Sequence, residues 1–352
     1  QQQMYEKGFD SQQIAQLRQW CAEAREVVLL SHMNADGDAC GSLLAMSLMI
    51  EAAGGEEKHV TPILPNGCPK TFEWLPNSNR ILNGETEREL CEQKMSDADL
   101  LVCLDMNTPE RIDFLKDALV SARGRKALVD HHHNPSADDF DLIISDPQIS
   151  STCELVVWLS RALWGDNSMT QDAARCLYTG LRTDTGGFAF SCNQPSCFEA
   201  ASLLIAHDIA PAEIHNRIVN TFTVDRMRFY GYALSNCLEI FPAQHTALFA
   251  IPIKVQNRFG VGGEEMEGLV NYTLMMSDIE VGVLLREEKE RTKVSFRAKY
   301  DIDVRLMAQE LGGGGHTKAA GATCYMPFDQ AIAEVKRLLG IANINPLADA
   351  SI

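Results

Sequence analysis

No apolar run in this chain approaches the ~20 residues that a bilayer-crossing helix needs, so no membrane span is expected. No two of its eleven cysteines stand in C-x-x-C spacing, which argues against a zinc knuckle or a redox pair. Most of them sit in apolar segments such as "LLVCLD" and read as buried, reduced thiols. The stretch "QQQMYEKGFDSQQIAQLRQW" lacks the charged-then-apolar pattern of a signal peptide, and a cytoplasmic location is expected. Glycine and proline are unremarkable in number and no solenoid-period repeat occurs, so neither a disordered chain nor a repeat array is expected. Positive charge is the most telling shortage. The formal net charge is −17, whereas proteins that coat long DNA or RNA carry a basic footprint. A small anionic substrate, or the short end of a polymer, fits this balance better. Part of the acidity can belong to a cation site.

What is present is an alternation of strands and helices. "VVLLS" (27–31), "DLLVCLD" (99–105) and "KALVD" (126–130) are short apolar runs of the kind found in buried parallel strands. Loops and apolar helices follow them, such as "LLAMSLMIEAAGG" and "TPERIDFLKDAL", the latter with Thr108 as cap and Pro109 in its first turn. "SSTCELVVWLSRALWG" opens with a Ser151–Glu154 capping box. "QDAARCLYTGLRTDTGGF" reads as a helix that breaks near Thr183. The fold class is therefore α/β with a largely parallel sheet, whose ligands are expected beyond the carboxyl ends of the strands. Residues 1–195 form the expected catalytic domain. Residues 196–240, helical in pattern, read as a connector, and 241–352, where strands return, as a smaller α/β domain, with the active site in the cleft between the two.

Polar residues crowd the expected strand ends: His32, Asp36 and Asp38 after the first, Asp105 after the second, and Asp130, His131 and His132 after the third. Asp184 stands at the helix break. So many acidic groups cannot share one crevice without cations, because their repulsion would raise pKa values and open the site. Asp36, Asp38, Asp105 and Asp184 carry four negative charges, which two divalent ions would balance. His32 and His131 offer a nitrogen each. Mixed imidazole and carboxylate donors suit Mn²⁺, Fe²⁺, Co²⁺ or Zn²⁺ better than Mg²⁺. Two such metals ~3.5–4 Å apart can clamp an in-line displacement at phosphorus.

"HMNADGDACGS", "CLDMN", "VDHHHN" and "GLRTDTGGF" resemble, in order, the four signature motifs of the DHH phosphoesterases. "GGGGHTKAAGA" resembles the hallmark of the DHHA1 domain that follows in one branch. The similarity is greatest to the two-domain nanoRNase (oligoribonuclease) and pAp-phosphatase group, cousins of RecJ-type exonucleases. This resemblance implies that His32 and Asp36 bind one metal, that Asp38, His131 and Asp184 bind the other, and that Asp105 bridges them. It implies Mn²⁺ as the usual ion, with Co²⁺, Fe²⁺ or Mg²⁺ as substitutes. His132 is implied to face the scissile phosphate, with Asp130 anchoring the histidines from behind and His133 pointing away. Where relatives often have proline, Ala35 stands here, at a position that is not a ligand. In the second domain Arg297, Gly314, Gly315 and His316 are implied to grip the terminal nucleotide, with Lys318 a weaker candidate; the glycine run alone also reads as a flexible hinge.

The implied reactions are hydrolysis of short oligoribonucleotides to mononucleotides and removal of the 3′-phosphate of 3′-phosphoadenosine 5′-phosphate (pAp). Cyclic dinucleotides or linear pApA are a close alternative. Pyrophosphate or polyphosphate hydrolysis ranks lower, as does a nucleotide sensor without catalysis. Expected partners are short RNA and small nucleotides, not long duplexes or membranes, and a homodimer is compatible with the resemblance.

Overall fold

The computed structural model describes residues 8–55 and 57–341, which divide into two compact units meeting between Asn220 and Thr221. That boundary falls inside the segment 196–240 read as a connector. Its first helices belong to the first unit and its last helix and strand to the second.

In the first unit, α1 (Ser11–Glu23) precedes β1 (Glu26–Leu30), α2 (Gly37–Gly54), β2 (His59–Leu64), β3 (Leu82–Asn83), α3 (Arg88–Asp97) and β4 (Leu100–Leu104). Then come α4 (Lys116–Ser121), β5 (Arg125–Asp130), β6 (Leu142–Ser145), α5 (Thr152–Trp164), α6 (Gln171–Asp184), α7 (Pro195–Ile205) and α8 (Pro211–Ile218). The strands pair in parallel in the order β3-β2-β1-β4-β5-β6. Side chains alternate across a strand, and both faces are covered, which is why the apolar runs are unbroken. Val27, Leu29, Val102 and Val129 face one core, with α1, α2, α5 and α6; Val28, Leu30, Cys103 and Leu128 face another, with α3 and α4. Strand order reverses direction between β1 and β4, the kind of switch point beside which open α/β sheets bind ligands.

Helix α2 is buried nearly all round, because it lies against the sheet on one side and against α6 on the other. Glycine makes that second contact close. A Cβ on Gly180 of α6 would lie 2.9 Å from the Gly37 carbonyl oxygen and 3.0 Å from the Asp38 Cα, and would overlap the Cys153 Sγ. One on Gly37 would overlap the Thr183 hydroxyl. The start of α2 and the end of α6 are thus held together by missing side chains.

Two expectations differ from the structure. "TPERIDFLKDAL" is not one helix: Pro109–Leu115 is 3-10 and broken at Asp113 (φ 49°), Lys116–Ser121 alone is α-helical, and Thr108 makes no side-chain cap. The Arg111 carbonyl, which a helix ladder would use, instead accepts the Met33 amide at 2.8 Å. Cys192 and Cys197 are not reduced thiols but form a disulfide with Cα atoms 5.7 Å apart. Their C-x₄-C spacing brackets the turn that leads into α7, outside the pattern of a short redox pair.

The second unit has α9 (Val224–Asn236), β7 (Leu238–Phe241), β8 (Thr246–Ile251), α10 (Ile253–Phe259), α11 (Gly263–Met266), β9 (Val281–Glu287) and β10 (Thr292–Ala298). It ends with α12 (Arg305–Glu310), β11 (Gly314–His316), β12 (Ala319–Cys324) and α13 (Phe328–Leu338). Its sheet runs β11-β12-β10-β9-β8-β7, antiparallel except for β8 with β9. The glycine run is no hinge, because Gly314–His316 pairs with Ala319–Gly321 as an edge hairpin. Among the described residues no helix is long and apolar enough to cross a membrane.

Overpacking of the helix contact is the expected weak point of the first unit. Gly180→Ala should lower its unfolding free energy by ~1–3 kcal/mol. The shift in urea midpoint of that unit's unfolding transition measures it, and an unchanged midpoint would refute the close contact.

Candidate metal centre

Three adjacent parallel strands end together, and their exits supply most of the site. β1 leads to His32 and to Asp36, whose Oδ1 caps α2 by accepting the Ala39 amide at 2.9 Å. β4 leads to Asp105, held at φ 56°, a left-handed conformation that turns the chain at once after the strand. β5 leads to Asp130, His131 and His132. Asp184 is the last residue of α6 and is brought in by the glycine contact with α2.

Asp38 is fully buried and lies on the start of α5. Its Oδ2 accepts the Thr152 amide and its Oδ1 the Cys153 amide, each at 2.8 Å. These are helix-opening N–H groups without partners inside the helix, and the helix dipole also favours an anion there. The start of α5 is itself fixed. Ser151 Oγ accepts the Glu154 amide at 3.0 Å, and the Glu154 carboxylate reaches back to the Ser150 amide at 3.0 Å and to the Ser150 hydroxyl. The glutamate of the expected capping box thus engages Ser150, one residue before the cap. Thr152 adds a second tie, its hydroxyl donating to Asp105 Oδ1 at 3.0 Å.

Asp105 faces two groups with its two oxygens. Oδ2 is 3.4 Å from His32 Nε2, which is 3.9 Å from Asp36 Oδ1. Oδ1 is 3.5 Å from His131 Nε2, which lies 3.7 Å from Asp38 Oδ2 and 3.6 Å from Asp184 Oδ2. Two of the groupings able to hold a metal ion are accordingly His32, Asp36 and Asp105, and Asp38, His131 and Asp184. His132 joins Asp105 and His131 in a third.

The donor set fits cations and little else. His32 Nδ1 is 2.9 Å from the Met33 carbonyl oxygen, and His131 makes a hydrogen bond to the Ile149 backbone. With those ring nitrogens donating, each Nε2 presents a lone pair to carboxylate oxygens. Burial, followed by the neighbouring His132, lowers the His131 pKa to about 4, so that its ring is neutral at pH 7. Burial raises Asp38 and Asp105 well above the usual carboxylate range, and for both a neighbouring aspartate adds to the shift. Asp184 rises to about 8, chiefly by burial and then by Asp38 and Asp36. Acceptor atoms meeting acceptor atoms need a cation between them; a bound cation would offset the raised carboxylate values and keep the His131 ring neutral.

Asp130 does not anchor both histidines. Its Oδ1 is 2.7 Å from His132 Nδ1 and its Oδ2 accepts the His132 amide at 3.1 Å. It locks His132, while His131 rests on the Ile149 backbone. The His133 side chain is exposed, and its carbonyl accepts the Asn107 amide group at 2.9 Å. In the second unit Arg297 is half-buried on β10, where burial lowers its pKa and Glu267 opposes the shift. Gly314 and Gly315 are exposed on β11; the His316 and Gly315 backbones pair with Ala319 and Ala320, and the side chain of His316 lies outside the described residues.

Sequence reasoning missed the groups that hold the candidate ligands in place: Thr152, the Cys153 amide and Gly180. The capping box announced a helix start at "SST", but nothing along the chain says which carboxylate rests on it.

The DHH family N-terminal domain matches residues 26–181, and the DHHA1 domain matches residues 249–340. A Thermus thermophilus protein named bifunctional oligoribonuclease and PAP phosphatase NrnA is 28% identical over 88% of this chain and 87% of its own length. The protein of the same name from Bacillus subtilis is 26% identical over 89% of this chain and 94% of its own. The crystal structure of an exopolyphosphatase-related protein from Bacteroides fragilis superposes with a TM-score of 0.91, at 32% identity, over 96% of this chain and 98% of that one.

Thr152 touches Asp105 without belonging to any of the three-residue groupings itself. Thr152→Val should therefore weaken Mn²⁺ binding by ~10–100-fold while the protein stays folded. Calorimetric titration of the metal-free protein measures this, and unchanged affinity would refute the orienting role.

Proposed function

Since the chain belongs to the DHH family and carries a DHHA1 domain, we propose that it is a metal-dependent phosphoesterase, hydrolysing oligoribonucleotides of a few residues to mononucleotides and removing the 3′-phosphate of pAp. The observation that carries this reading is Asp105, whose two oxygens face two separate groupings of histidine and aspartate. The relatives' oligoribonuclease and PAP phosphatase activities, over nearly their whole length, supply the substrate class.

In this reading His32 and Asp36 hold one divalent ion, Asp38, His131 and Asp184 a second, and Asp105 joins the two. Mn²⁺ suits the mixed nitrogen and oxygen donors. When bound, two such ions supply an acidified water at neutral pH and charge neutralisation for in-line displacement at phosphorus.

The chain's own residues do the rest. Asp38, fixed on the start of α5, and Asp105, turned by its left-handed backbone, keep the donor geometry stiff before any ligand arrives. Asp130 holds the Nδ1 edge of His132, which makes Nε2 the nitrogen that exchanges a proton with the leaving oxygen. Held in that orientation, His132 is placed to act as the general acid of the reaction. Arg297 and the bare backbone of Gly314 and Gly315, with His316, grip a terminal nucleotide's phosphate. The strongly acidic chain disfavours long polyanions and suits short ones.

One panel tests the reading: pAp, two- to five-residue RNA, pApA, cyclic dinucleotides and pyrophosphate, each with Mn²⁺. Turnover of pAp and short RNA is expected; turnover of cyclic dinucleotides or pyrophosphate alone would replace this reading. Asp105→Ala and His131→Ala should each abolish both activities, whereas His133→Ala should keep most of them. Equal losses at His131 and His133 would overturn the assignment.

A further inference from the structure

The second unit carries a cavity of about 500 Å³ that the roles above leave unused. Its floor is the sheet face opposite the core formed by Val294, Phe296 and Ala320. On β10 the core takes Thr292, Val294, Phe296 and Ala298, so Lys293, Ser295 and Arg297 share the other face. Cross-strand pairing continues the face in rows. Arg286, Lys293 and Thr323 form one; Leu284, Ser295, Gly321 and Gly314 the next; Gly282, Arg297, Ala319 and His316 the third.

Arg297 stands in the third row, four residues and ~13 Å along the strand from Lys293 in the first. The cavity lies over the first and second rows, walled by Gly312 and Gly313 on one side and by Met266 and Glu267 on the other. It combines what a nucleotide requires: flat glycine backbone and Leu284 for a base, the hydroxyls of Ser295 and Thr323 for sugar or phosphate oxygens, and cations for charge. Arg286 is already paired with Glu288 at 2.8 Å. The Lys293 ammonium makes no hydrogen bond and no ion pair within 4 Å among the described residues; Glu288, already engaged by Arg286 and Arg291, acts on it only at longer range. In a chain of net charge −17, a lysine without a close carboxylate partner in a cavity of nucleotide size marks where an anion can rest.

We propose that this cavity is a second nucleotide subsite, which holds the phosphate of a further residue of a short RNA at Lys293 while Arg297 serves the terminal one. The inference rests on the oligonucleotide reading above and adds to it. A mononucleotide such as pAp occupies one subsite, and an oligonucleotide reaches both.

The test uses the full-length protein and a fluorescein-labelled five-residue RNA in EDTA, so that binding is read without turnover. Lys293→Gln should weaken binding about tenfold and reduce the slope of log affinity against log salt by ~0.7, the loss of one phosphate contact to a single strand. Lys293→Arg should restore both. With Mn²⁺, Lys293→Gln should lower kcat/KM for the five-residue RNA relative to pAp by a similar factor. Unchanged affinity and salt slope, or no RNA binding by the unsubstituted protein, would overturn the subsite. If the protein turned over pAp and RNA but ignored Lys293→Gln, the subsite alone would fall. If it turned over neither yet bound RNA through Lys293, the hydrolytic reading would fall and the subsite would stand.

Discussion

The buried carboxylate of Asp38 resting on the first two amides of α5 is the constraint on which the first unit depends. An anion with no exposure needs donors, and the first two amides of α5, which the Ser151 cap does not reach, need acceptors. Each supplies the other. The same tie fixes the distance between α2 and α5, sets Thr152 against Asp105, and leaves Asp38 Oδ2 turned toward His131. The two amides do not overcome burial and neighbouring charge, and the Asp38 pKa stays raised. The protein thus holds its carboxylates in a repulsive arrangement that a cation relieves. That is the physical sense in which the site is built ahead of its ligand.

Much of this was legible along the chain, for reasons that differ between elements. β1, β4 and β5 could be read because strands covered on both faces show unbroken apolar runs. Their exits then had to lie on one edge of a parallel sheet. His32, Asp36, Asp38, Asp105 and His131 converge for that reason. Asp184 was readable only through the helix break in "RTDTGG", and its placement depends on Gly180, whose role is invisible until α2 lies against α6. Local pattern failed where a distant group took over. The Met33 amide claims the Arg111 carbonyl and turns an expected helix into 3-10 turns. The Cys192–Cys197 bond escaped because its spacing is neither that of a metal knuckle nor that of a redox pair.

The second unit answers a different problem. Its sheet keeps one face for its own core and leaves part of the other to small residues and three cations. Ser295, Gly321 and Ala319 have little to bury on that face, and Lys293 and Arg297 stand apart from each other along β10. In the two-subsite proposal, that spacing, set by the pleat, would let the sheet hold separate phosphates of an extended chain.

The strand order has a consequence for how the protein reaches its working state. β1, β4 and β5 are neighbours in space but far apart in sequence, and each parallel pairing waits for its crossover helix to pack. Such non-local closures are slow steps in folding. The cation groupings draw on all three strands and on α6, so a partly folded chain cannot offer them. Metal affinity therefore belongs to the finished topology alone, and by mass action an ion that binds only that state draws the last, slowest fraction of molecules into it.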